Sequence, residues 1–328
     1  MKQISLDIVN FLHPTTSVNP VFARHETFPP RFGWLKKGFD AAVEEPEVFL
    51  LEDAPVRLGV GKNMASSIRY WCNAFKVLED DKVQGQHGRS SYPTDFGKKL
   101  LGDEGWDAYL EDPATLWLLH WNLLKPPCNA AAWYFTFNIF RPVEFSAEDL
   151  TRELGDYRDK IAPRIADSSV KKDISCILRM YVEQSSQAGI YLEDSIDCPF
   201  TELGIIQPAG DSKRYVFRVG AKANLPAEMV VAACLEFASS VGEQKTISVS
   251  RLTFDPGSPG LAFKLSESAV CDAIEQVERW SNGIKLSDSA GLIQFSFSSD
   301  PLMLADGILD KYYSLGFKPQ ARRGGAPR

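Results

Sequence analysis

The densest set of side chains able to do chemistry lies in the stretch FARHETFPPRFGWLKKGFD. There Arg24, His25, Glu26, Arg31, Lys36, Lys37 and Asp40 stand among Phe22, Phe28, Phe32, Trp34 and Phe39. An imidazole beside a carboxylate can supply a general base near neutral pH or share a divalent ion with it, and an arginine can hold a phosphate as a bidentate fork. His25 and Glu26 are therefore candidates for activating water or binding metal, with Arg31 steadying a phosphate. The competing expectation is structural. His25 then hydrogen-bonds within the fold and the five aromatics are core, since the pair lacks the helical H-E-x-x-H spacing of a zinc protease. A second cluster, YLEDSIDCPF, brings Glu193, Asp194 and Asp197 together as hard oxygen donors of the kind Mg²⁺ prefers and a nuclease needs. The same acids would also serve as helix-start charges. Cys198 beside them has no histidine near in sequence to activate it.

Several catalytic templates are excluded. Gly61-Lys62 is followed by Asn63 rather than Ser or Thr, so LGVGKN is no phosphate loop. DPGSPG, from Asp255 to Gly260, lacks the glycine spacing of a dinucleotide site and reads as a tight turn. Ser258 has no glycine two residues before it, which removes the hydrolase elbow.

The elements that must position these residues follow from hydrophobic spacing. VFLLEDAPVRL, then LGVGKN, then MASSIRYWCNAFKVLE reads as helix, turn and helix, with Met64, Ile68, Trp71 and Phe75 forming one apolar stripe. Asn63 is a candidate N-cap, and Lys62, Asn63, Ser66 and Arg69 fall off the stripe, where a recognition helix meets a duplex. The run KVQGQHGRSSYPT reads as a hairpin tip and return strand, a wing carrying Arg89. A second unit repeats the grammar. Ser146 and Asp149 form a capping-box variant, Val170, Ile174, Ile177 and Tyr181 make a stripe, and TELGIIQPAGDSKRYVFRVG supplies another wing-like hairpin. Lys171, Lys172 and Arg179 lie off that second stripe.

Beyond Ala221 the pattern changes to a buried-looking helix, an alternating strand KTISVSRLTF, an amphipathic helix, strands GIKLSD and GLIQFSF, and a helix from Pro301 to Tyr313. The fold class expected is α+β and predominantly helical, with tandem winged-helix-like modules followed by a small α+β region. The expected division is 1–145, 146–222, 223–316 and a loose basic tail over 317–328.

Composition bounds what these units can do. The 328 residues carry 36 Lys+Arg against 43 Asp+Glu, a net charge of −7, which argues against a general polycation. Between Arg57 and Lys99, however, eight basic residues face four acidic ones, a local net charge of +4 of the sign that phosphate binding needs. At 44% hydrophobic and 24% charged the chain is neither disordered nor fibrous. MKQISLDIVNFLHPTT does not read as a signal peptide, and the scattered Cys72, Cys128, Cys176, Cys198, Cys234 and Cys271 form no CxxC pair, which fits a reducing cytoplasm.

The segments FARHETFPPRFGWLKKGFDAA, LGVGKNMASSIRYWCNAF, VKKDISCILRMYVE, YLEDSIDCPFTELGII and PGSPGLAFKL together resemble a bacterial family long filed as a domain of unknown function. Members of that family occur in DNA phosphorothioation defence clusters. The resemblance runs from about Asn19 to Tyr313, with HETFPPR plus LGVGKNM as its specific pair. It implies a cytoplasmic endonuclease that nicks one strand of double-stranded DNA with Mg²⁺ or another divalent cation. The partners it implies are a cysteine desulfurase, an ATPase and an ATP-pyrophosphatase-like component. It assigns no side chains. The site expected from residue types has His25, Glu26 and Arg31 as catalytic groups. Lys36, Lys37, Lys62, Asn63, Arg69, Arg89, Lys171, Lys172 and Arg179 would contact DNA, and Glu193, Asp194 and Asp197 would hold the metal. The alternative functions are a non-catalytic, sequence-reading DNA-binding protein or scaffold of the same system, and a protein-interaction adaptor, which the acidic total charge would suggest first.

Overall fold

In the computed structural model, which describes residues 18–81, 88–183, 198–210, 213–243, 245–289 and 291–316, each of the expected apolar stripes is turned inward. Helix α1 (Trp34–Glu44) buries Trp34, Leu35 and Phe39, and short α2 (Ala54–Leu58) leads into α3 (Lys62–Ala74). The turn between α2 and α3 needs a left-handed residue, which Gly59 supplies at φ 61. Gly61, not Asn63, occupies the N-cap of α3, so Asn63 lies inside the helix and its side chain caps nothing. Ile68, Trp71 and Phe75 of the stripe are fully buried, with Met64 packed at the edge of the core. Glycine at position 38 is required by packing: a Cβ there would come within 2.6 Å of the Cys72 Sγ, so α1 and α3 approach too closely for any side chain.

Strands β1 (Leu78–Asp81) and β2 (Ser90–Pro93) pair antiparallel as the expected hairpin, and its tip at 82–87 lies outside the described residues. Helices α4 (Asp95–Leu101) and α5 (Pro113–Leu124) follow, and in α5 every residue from Ala114 to Leu124 is buried. A helix apolar on all sides is a central strut. Its His120 places Nδ1 2.8 Å from the Tyr181 hydroxyl and Nε2 2.9 Å from the Ala262 carbonyl oxygen, and burial lowers its pKa to about 4. The ring is therefore neutral at pH 7 and joins segments far apart in sequence.

After α6 (Ala131–Tyr134) and a π-turn over Phe135–Ile139 come β3 (Glu144–Ser146), α7 (Ala147–Ile161), α8 (Asp167–Tyr181), β4 (Ile206–Pro208) and β5 (Arg214–Phe217), in a sheet ordered β3-β5-β4. The capping box forms as expected. The Ser146 hydroxyl accepts from the Asp149 amide, and the Asp149 carboxylate accepts from the Ser146 amide, which holds its pKa down at about 2.

The C-terminal part has a similar order, with three helices instead of two between its first strand and the strand pair that follows. Helix α9 (Ala227–Ser240) precedes β6 (Thr246–Ser248), α10 (Val249–Phe254), α11 (Pro259–Phe263), α12 (Glu267–Glu278), β7 (Ile284–Ser289) and β8 (Leu292–Phe297), with sheet order β6-β8-β7. One expectation is corrected here: KTISVSRLTF is a strand only to Ser248. The Ser248 hydroxyl caps α10 by accepting from the Arg251 amide, and Arg251 pairs with Asp255 one turn on at 3.0 Å, so local hydrogen bonds win over alternation. The final helix α13 (Pro301–Ser314) closes the molecule onto its first half. The Trp106 indole donates to Asp310 at 2.9 Å and stacks on Tyr313, while the Tyr312 hydroxyl donates to Asp112 at 2.9 Å. The architecture is α+β, helices dominating over small antiparallel sheets. Five cysteines are buried and Cys271 is partly exposed.

Candidate nucleic-acid interface

The HETF segment is a chain of tight turns, not a helix or strand. Ala23, Glu26 and Thr27 all adopt positive φ (54, 48 and 69), a conformation costing non-glycine residues about 1 kcal/mol each or more. Contacts to α3 and α8 hold it in place. From α8, Asp173 Oδ1 accepts from the Ala23 amide at 2.9 Å and lies 2.7 Å from His25 Nε2. From α3, the Ser67 hydroxyl donates to the His25 carbonyl at 3.0 Å and the Trp71 indole donates to the Phe28 carbonyl at 3.0 Å.

His25 and Asp173 are 0% and 1% exposed, and the imidazole is packed among Tyr70, Trp71 and Trp133. A ring so enclosed cannot reach a phosphodiester, so its place in this structure is that of a positioning group rather than the catalytic base expected from the sequence. Burial pushes the Asp173 carboxyl pKa up, and the hydrogen bonds from His25 and Ala23 pull it back. The consequence for the surface follows from geometry: with His25 turned inward, its neighbours Arg24 and Glu26 are exposed.

Arg24 and Glu26 open onto a cleft of about 1230 Å³, and Lys62 and Arg69 of α3, Asp80 of β1 and Arg89 just before β2 line the same cleft. The tertiary structure thus brings Glu26 together with Lys62, Arg69 and Arg89, and adds Arg24, which belongs with the site although the residue-type assignment omitted it. Arg69 is partly committed: it donates to Asp80 at 2.9 Å and to the Arg89 carbonyl at 2.5 Å, fastening the hairpin to α3. Deeper in, Lys76 donates to the carbonyls of Asn122 and Lys125, and burial lowers its pKa to about 8. Asn129 and Tyr70 also line the cleft, and neither stood out in the sequence.

Other expected contacts lie elsewhere. Arg31 sits 5.5 Å from the Trp34 ring centre in a cation–π arrangement, Lys36 pairs with Asp40 at 2.6 Å, and Lys37 donates to the Leu58 carbonyl at 2.9 Å. Arg179 donates to the Thr27 carbonyl, so it supports the HETF turn. Lys171 and Lys172 are exposed on α8, and Asn63 is exposed on α3 without lining the cleft. Of the expected core aromatics, Phe22, Trp34 and Phe39 are buried, Phe28 partly so, and Phe32 is exposed.

The family model described as "Protein of unknown function (DUF4007)" matches residues 22–313. The chain belongs to this family. No curated protein matches the sequence. Two solved structures do. A magnesium ion-bound SspB crystal structure is 37% identical with a TM-score of 0.86, covering 93% of this chain and 91% of that one. A second SspB crystal structure gives the same identity and TM-score and covers 92% of its own chain.

In this DUF4007 chain the cleft offers the carboxylates of Glu26, Glu52, Glu79 and Asp80. Asp80 is already engaged by Arg69, Asn73 and Ser91, and among the described residues no three His, Cys, Asp or Glu side chains are grouped to hold an ion. The described donor set therefore does not fit a divalent metal by itself. Glu193, Asp194 and Asp197, the expected ligands, lie outside the described residues. Among the described residues no helix is long and apolar enough to cross a membrane.

Proposed function

We propose that this protein binds double-stranded DNA along the Arg24–Lys62–Arg89 cleft and nicks one strand in a divalent-metal-dependent reaction, within a DNA phosphorothioate modification and defence system. The observation that carries the reading is the convergence of these cations with an exposed carboxylate, Glu26, in one cleft of a chain whose net charge is −7. Phosphate contacts supply affinity and orientation, and the exposed Arg24, Lys62 and Arg89 offer them on one concave surface beside the cleft's carboxylates. The 37% identity to SspB over 93% of the chain supports the same reading.

In it, Arg24, Lys62 and Arg89 hold phosphates and Glu26 takes up the proton of the attacking water, while Glu193, Asp194 and Asp197, outside the described residues, would supply the oxygen ligands of a divalent metal. Lys171 and Lys172 extend the track across α8. The modules over 1–145 and 146–222 are winged-helix-like in this reading, and the cytoplasmic partners are a cysteine desulfurase, an ATPase and an ATP-pyrophosphatase-like component. Supercoiled plasmid incubated with the pure protein and Mg²⁺ should yield open circles that EDTA abolishes, and Glu26→Gln should remove nicking while retaining binding. Intact plasmid under every divalent ion tested would overturn the nuclease reading. DNA binding without cleavage is the second reading. The burial of His25, which withdraws one candidate base, favours it, and tight, salt-sensitive binding without any nick would establish it.

A further inference from the structure

The cationic rim accounts for only part of the cleft. The same cleft is also lined by half-buried apolar side chains, Phe49, Leu50, Leu51 and Pro55, from the 3₁₀ turn over Val48–Leu50 and the start of α2. A groove that held only backbone phosphates would gain nothing from such a lining. A second feature is a pair of amides: Asn19 Nδ2 donates to Asn129 Oδ1 at 2.5 Å, and the Tyr70 hydroxyl donates to the Asn129 carbonyl at 3.3 Å. That arrangement uses one donor and one acceptor of the pair. Among the described residues this leaves the Asn129 Nδ2 as a donor and the Asn19 Oδ1 as an acceptor, and both residues line the cleft. The volume, about 1230 Å³, also exceeds the ~300–1,000 Å³ of ordinary small-ligand pockets, leaving room for a nucleotide with its flanking phosphates.

We propose that this cleft receives one nucleobase unstacked from the bound strand, with Leu51 and Phe49 against its face, the Asn19–Asn129 pair on its hydrogen-bonding edge, and Arg24, Lys62 and Arg89 on the phosphates to either side. The inference rests on the DNA-binding reading above and adds the form in which the nucleic acid is held. The chemistry is matched: a base edge presents adjacent donors and acceptors, its face is apolar, and its backbone is anionic. An extruded base is held by edge hydrogen bonds together with packing on its face, and both kinds of surface meet here.

The test uses the full chain and DNA duplexes in which 2-aminopurine, fluorescent when unstacked, is moved one position at a time through the bound site. Anisotropy of a label at the duplex end reports binding separately. The expected result is a several-fold rise in 2-aminopurine fluorescence at one position and not at its neighbours, together with about tenfold tighter binding when that position is mismatched, because unpairing is then already done. Leu51→Ala and the exposed Asn19→Ala should each reduce the fluorescence rise and shrink the affinity gain on the mismatched duplex. Binding with no responsive position, or a response unchanged in both variants, overturns the inference and leaves DNA binding standing. No binding to any duplex overturns both.

Discussion

Replacing His25 by alanine separates a positioning role from a catalytic one. The substitution deletes a fully buried ring packed against Tyr70, Trp71 and Trp133 and removes the partner of Asp173, whose Oδ2 already has no hydrogen bond among the described residues. Removing one member of a buried pair leaves an uncompensated polar group and costs about 3–5 kcal/mol. At about 2.1 cal/mol/K per residue, a 328-residue chain shifts its Tm by ~1.5 °C per kcal/mol, so the variant should melt ~4–7 °C lower by calorimetry. The double variant His25→Ala/Asp173→Ala should lose less than the sum of the singles by about 1 kcal/mol or more, because the stranded carboxyl is gone too. The Ala23, Glu26 and Thr27 turn loses an anchor, so DNA affinity should fall together with stability. A His25→Ala protein that melts within 2 °C of wild type yet no longer nicks would refute this reasoning and return His25 to the reacting atoms.

Arg24→Ala, Lys62→Ala and Arg89→Ala should each weaken duplex binding across sequences and lower the slope of log K against log salt by about 1, read by anisotropy titration; an unchanged slope would remove that residue from the phosphate track. Ser146→Ala should cost about 1 kcal/mol in chemical denaturation by removing the hydroxyl cap, and the Asp149 pKa, now about 2, should rise only part of the way in a carboxylate titration because the amide of residue 146 still donates to it. Buried Lys264 donates to the Phe137 carbonyl at 2.7 Å, and burial lowers its pKa to about 7. The unfolded chain therefore binds the extra proton, and stability should rise with pH from about 7 by up to about 1.4 kcal/mol per unit. Lys264→Met should flatten that rise between pH 7 and 8 while the part above 8, from Lys76 and Lys222 with pKa values lowered to about 8, remains.

What could be read from the sequence was what neighbours in the chain decide. The Ser146–Asp149 box is complete within one helical turn, the α3 and α8 stripes are spaced by the helix itself, and the hairpin partners Glu79 of Tyr92 and Pro208 of Tyr215 lie 13 and seven residues away along the chain. The family could be recognised for the same reason, from contiguous segments such as HETFPPR and LGVGKNM. At Val249–Phe254 alternation misled, because a serine cap and an i,i+4 ion pair outweighed a period of two.

The burial of His25 was decided only by folding, since its partner Asp173 is 148 residues away and its ring neighbours come from α3 and α6. The same holds for Arg179, which an off-stripe position marks as solvent-facing but which finds the Thr27 carbonyl 152 residues earlier. Asn19 and Asn129, 110 residues apart, become one hydrogen-bonding surface by the same route. The sequence determined the α3 and α8 stripes, the Ser146 cap and which residues carry charge, but not every helix: VFLLEDAPVRL folds as a 3₁₀ turn and the short α2, and Val249–Phe254 as α10. Whether a titratable side chain faces the core or the cleft was set by long-range packing, because desolvation and hydrogen bonding depend on neighbours that no local spacing specifies.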